Sequence, residues 1–176
     1  MLRKPISLAG STRRGMVTAQ VALSLSALMA MLAVVADGGL LLVERRHAQA
    51  TADAAALAAA YDLYENWSND NPPGTDSLGT ALVSAMYVAS QNDYTNDGTT
   101  STVKVNISPR KYSGGPHAGT TLPPGYAEAT VTWYQPRFFS GIFGSGAIPV
   151  SARAVARGVQ GPTPQVPTPP DFRLVE

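Results

Sequence analysis

The chain has 176 residues, a formal net charge of +1 and no cysteine. That length fits one small domain with an appendage. The charge gives no bulk electrostatic case for nucleic-acid binding, and the lack of cysteine excludes disulfides and thiolate metal sites.

Residues 1–14 form a basic N-terminus. Arg3, Lys4, Arg13 and Arg14 stand there without any acid. From Gly15 to Ala36 no residue is charged. As a helix this stretch reaches about 33 Å, enough to cross a bilayer core. Its polar members, Thr18, Gln20, Ser24 and Ser26, can return hydrogen bonds to the helix backbone or to a partner helix. The span is assigned to residues 15–43, and the basic flank places the N-terminus in the cytoplasm and the remainder outside. Asp37 sits at its outer edge, interfacial or paired with a partner. Arg45 and Arg46 follow closely.

Three readings of this span stand side by side. It is an uncleaved anchor, a secretory signal cut after "VVA" before Asp37, or a pilin-type leader processed between Gly15 and Met16. Pilin leaders resemble it in having basic residues, a glycine and then an apolar helix. They usually carry Glu at the fifth mature position, where this chain has Gln20.

The helix pattern continues without proline through residues 44–68. Alanine is the best helix former, so Ala48 to Ala60 is helical on propensity alone. Gly38 and Gly39 weaken the helix by about 1 kcal/mol each relative to alanine and mark a bend or a close approach of another helix. Ala48, Ala52, Ala56 and Ala59 recur at helical spacing. This thin face packs either on the chain's own sheet or on partner subunits. "NDNPPG" at 69–74 stops the helix, giving a rod of about 80 Å.

A head is assigned to residues 76–158. Asp76 caps a second helix, whose apolar stripe is Leu78, Leu82, Met86 and Ala89 with Val83 beside it; Met86 reads as core rather than as a ligand. "NDYTND" reads as a solvated turn and not as a calcium loop. Three stretches then alternate with period 2. They place Val103, Val105 and Ile107, then Ala127, Ala129, Val131 and Trp133, then Ile148, Val150, Ala152, Ala154 and Ala156, on one covered face. Such a sheet needs helices over it. Phe138, Phe139 and Phe143, in "PRFFSGIFGSG", read as a cap of the core or a cover of an edge, with a binding patch as the alternative. Residues 159–176 are a proline-rich extended tail.

The two histidines, His47 and His117, lie far apart in sequence and lack ligand spacing. No nucleophile triad, phosphate loop or carboxylate pair is evident in the sequence. No catalytic residue, cofactor, metal or small-molecule substrate is therefore assigned, and the expectation is a protein that is not an enzyme.

The ordered elements Arg13-Arg14-Gly15, the span, Asp37, Arg45-Arg46 and "ADAAALAAA" at Ala52 to Ala60 resemble the N-terminal segment of TadG-like proteins of the tight-adherence (Tad/Flp) pilus-assembly system. Ala48 stands where that pattern usually has Leu. The aromatic connection and "VSARAVARG" look like the C-terminal part of the same proteins. The resemblance implies a short, membrane-anchored pilus-assembly component, a minor pilin-like or anchoring subunit of the bacterial inner membrane. Its partners would be the lipid bilayer and other pilus-assembly or pilin-like subunits. The expected fold is α+β: a long N-terminal transmembrane helix continuing into a small pilin-like head with a second helix and an antiparallel sheet. The alternatives are a stand-alone envelope protein tethering a β-rich binding head, and a secreted enzyme or binding protein freed by cleavage.

Overall fold

A computed structural model describes residues 12–139, 141 and 144–160. The elements run α1 (Thr12–Glu65), α2 (Thr80–Gln91), β1 (Ser101–Ile107), β2 (Tyr126–Gln135) and β3 (Ile148–Arg157). Residues 161–176 of the expected tail, the first residues of the basic N-terminus and Phe143 lie outside the described residues.

α1 is one helix of 54 residues, about 80 Å long at the standard rise. It passes straight through Gly38 and Gly39, and a Cβ on either would meet nothing within 4 Å. The expected bend or close approach is therefore not found within this chain, because good helix formers on both sides carry the two glycines through. The helix ends at Glu65, three residues before the expected boundary. Asn66 continues the turn, its N–H bonded to the Asp62 carbonyl at 2.9 Å, and its side-chain amide reaches the Asp62 carboxylate.

The three strands form an antiparallel sheet in the order β1-β2-β3. Register places Val105, Ala129 and Ala154 in one cross-strand row and Val103, Val131 and Ala152 in the next. These residues are buried on one face, as their alternation requires. The outer half of α1 covers that face through Ala48, Ala52, Ala55, Ala56, Ala59 and Leu63, all buried. Alanine meeting alanine lets helix and sheet backbones come close, so dense packing replaces large side chains.

α2 packs beside α1 through Ala81, Ala85 and Ala89. Of the expected stripe, Ala89 is buried as expected, while Ala81 and Ala85 take the centre of the inner face in place of Leu82 and Met86. Leu82 and Met86 are only partly buried, while Leu78 and Val83 are 58% and 67% exposed. The small residues win the inner face because α1 offers a thin alanine surface there. Asp76 does cap this helix, its carboxylate accepting the N–H groups of Ala81 and Leu82 at 3.0 and 2.9 Å. The helix itself starts later than expected, at Thr80, after Gly79 in the left-handed conformation.

Candidate functional site

Between Gly15 and Ala36 α1 is apolar all round. Met16, Val21, Leu25, Leu28, Met29, Leu32 and Val35 are exposed. A core helix of a soluble protein hides such residues; a membrane span presents them to lipid. The Ser26 hydroxyl donates to the Ala22 carbonyl at 2.8 Å, so the helix backbone satisfies it. Gly15 and Met16 lie inside α1, exposed.

At the outer end of this stretch Asp37 is 8% exposed. Its carboxylate accepts the backbone N–H of Phe139, with both oxygens at 3.2 Å. Phe139 belongs to the β2–β3 connection, whose first residues, Pro136 to Phe138, lie against Leu40 and Leu41 of α1. Phe138 and Phe139 are 62% and 55% exposed. They do not cap the core. They face an apolar cleft along Leu25, Met29 and Ala33.

About two turns above Asp37, "ERRH" divides its work. Arg45 and Arg46 are exposed. Glu44 accepts the Tyr94 hydroxyl at 2.6 Å, and the His47 ring lies 5.3 Å from the Tyr94 ring. Tyr94 in turn meets Trp133 edge-on at 5.8 Å. Burial, and after it the hydrogen bond to Glu44, pushes the Tyr94 phenol well above its ordinary range. This cluster joins the base of the head to the rod.

The alanines singled out by spacing, Ala48, Ala52, Ala56 and Ala59, all lie in the chain's own core. The opposite side of α1, with Leu57 and Tyr61, is exposed.

Sequence reasoning missed Glu128. Alternation puts it on the outer face of β2, yet it is fully buried. The 108–125 connection folds over it. Its carboxylate accepts the Asn106 amide at 2.9 Å and the Ser113 N–H at 2.7 Å, and it forms an ion pair with the Arg153 guanidinium. Burial pushes this carboxyl up, but the Asn106 and Ser113 hydrogen bonds and Arg153 outweigh it and hold it below its ordinary value. A lone acid in an apolar strand, with an arginine in the next outward-facing run, was the available signal. The turn before β1 is tied by Asp97, which accepts the N–H groups of Thr99, Thr100 and Ser101. Its oxygens are thereby occupied within the turn. Among the described residues no group of three or more His, Asp or Glu side chains is placed to hold a metal ion.

The architecture defines a class: an α+β head carried on a helix whose inner half is long and apolar enough to cross a membrane. The sequence match is more particular. Residues 15–62 match the Tad family, described as putative Flp pilus-assembly TadE/G-like. The match covers the apolar stretch and nearly all of the alanine helix, and stops short of α2 and the sheet. It supports a role in pilus assembly and a membrane anchor. No curated protein and no solved structure matches the chain.

Proposed function

We propose that the chain is a non-enzymatic, membrane-anchored component of a Tad/Flp pilus-assembly machine, acting as a minor pilin-like or anchoring subunit of the bacterial inner membrane. The N-terminus is cytoplasmic and the head is exported. The observation that carries this reading is the continuity of α1, which runs unbroken from an uncovered apolar half into the core of the head. The family match over the same helix supports the assembly setting.

The span holds the subunit in the bilayer while the head is presented outside. The alanine face is used within the subunit. Contacts to other pilus-assembly subunits therefore use the span, or the outer surface around Leu57 and Tyr61.

The test is a deletion of the gene in its own host. Surface pili are counted, and the deletion strain is complemented with the full chain or with the head fused to a cleavable signal. Restoration by the anchored chain alone supports the reading. Normal pilus numbers in the deletion strain, or full restoration by the free head, contradict it.

A further inference from the structure

We infer that Phe138 and Phe139, at the start of the β2–β3 connection, form a second membrane contact, their rings inserting into the outer leaflet beside α1. The inference rests on the anchor reading of α1 and extends it to a part of the chain far from the span in sequence.

Four observations converge. First, the two aromatic side chains are more than half exposed, and they turn away from the head core. Second, they lie on the membrane side of Asp37. The cleft they share includes Leu25, Met29 and Ala33, and Leu25 is twelve residues, or about 18 Å, below Asp37 along the helix. The surface they extend is therefore continuous with the apolar half of α1. Third, the descending backbone is held. Asp37, 102 positions away in sequence, accepts the Phe139 N–H with both oxygens. Irregular backbone does not sit lipid-exposed in the hydrocarbon region, and this carboxylate holds the Phe139 backbone at the level of Asp37, so that only the two rings reach below it. Fourth, Arg137 stands at the neck and donates its Nε to the Gly146 carbonyl at 3.0 Å. A guanidinium just above two apolar rings matches the order of groups across a membrane interface, with the charge at headgroup level and the rings below it. The occupant that fits this sequence of chemistry is a lipid leaflet.

The consequence is orientational. One helix leaves a head free to tilt and rotate about the bilayer normal. A second contact beside it fixes both, so the head presents a constant side.

The chain has no native cysteine, so single-cysteine spin labelling reads the depth of each site directly. The full-length protein is placed in phosphatidylglycerol/phosphatidylcholine nanodiscs with a nitroxide at one of four positions. Phe138→Cys probes the loop. Gly141→Cys probes it with both rings kept, since a side chain there meets nothing within 4 Å. Leu28→Cys reports the span, and Val83→Cys reports the aqueous head. The expected result is an oxygen-to-nickel accessibility ratio at 138 and 141 that lies between the two controls, several-fold above that at 83 and below that at 28, as for an interfacial site. A lipid-like ratio at 28 with a water-like ratio at both 138 and 141 overturns the loop contact and leaves the anchor standing. A water-like ratio at 28 overturns the anchor reading and the loop contact together.

Discussion

Gly158 lies so close to Ala60 that a Cβ built on it would meet the Ala60 carbonyl oxygen at 1.7 Å. The end of β3 thus docks on α1 backbone to backbone, and the Gly158 N–H continues the contact by donating to the Gly125 carbonyl at 2.9 Å. Gly125 itself sits at φ 81°, a conformation that favours glycine. Gly158→Ala is expected to lower head stability by about 3 kcal/mol, the upper range for overpacking. Gly141→Ala, in open space, is expected to change it by less than about 0.5 kcal/mol. Urea unfolding of the detergent-solubilised protein, followed by tryptophan fluorescence, checks both. Equal stabilities would mean that β3 does not approach α1 as described.

The same logic applies along the rod. Ala52 is fully buried between α1 and the sheet, so Ala52→Leu is expected to destabilise the isolated subunit by about 1–3 kcal/mol. Leu57 points the other way and is exposed; Leu57→Ala is expected to leave subunit stability within about 0.5 kcal/mol of the parent. If Ala52→Leu leaves folding intact and blocks assembly alone, the alanine face belongs to a partner and not to the head.

Glu128 gives the head an acid limit. Its carboxyl titrates lower in the folded chain than its ordinary value of 4.5. The stabilisation is therefore fully present above that value and is lost as pH falls through the lower folded value. Glu128→Gln, which leaves Arg153 without its counter-charge, is expected to cost about 2 kcal/mol at pH 7, less than a fully buried pair because Arg153 is partly exposed. The gap between parent and variant is expected to narrow as pH drops below 4.5. Denaturation midpoints at pH 7, 5 and 3 measure it, and a gap that widens toward acid contradicts the assignment.

Thr51 offers the opposite sign. Its hydroxyl is buried without a hydrogen-bond partner, and such a group costs about 1–3 kcal/mol in desolvation. Thr51→Val keeps the branched shape and removes that cost, so the variant is expected to be about 1 kcal/mol more stable. A less stable variant would show that the hydroxyl is bonded.

The sheet was legible because its period-2 alternation is local. Val103, Ala129 and Ala152 could be assigned to one face from neighbours two residues away. The alanine rod was equally legible, since helix propensity and spacing agree from Ala48 to Ala59. Which surface that face meets was not, because it depends on a sheet more than 40 residues further on. The phase of α2 was missed for a related reason. Leu78 and Val83 are more apolar than Ala81 and Ala85, but the surface of α1 accepts only small groups. Glu128 and Phe139 escaped because both are explained by long-range partners: the 108–125 connection folding over β2, and Asp37, 102 positions earlier in the sequence.

The claim that an unbroken α1 ties the head to a bilayer is tested most directly by fractionating cells that express the full chain, washing the membranes with carbonate, and sequencing the N-terminus of the recovered protein. The predicted result is a carbonate-resistant, detergent-extractable protein whose N-terminus lies before the apolar stretch, at Met1 or at Met16. A soluble protein beginning at Asp37 would contradict the account, because it would have lost the inner half of the helix on which the head is carried.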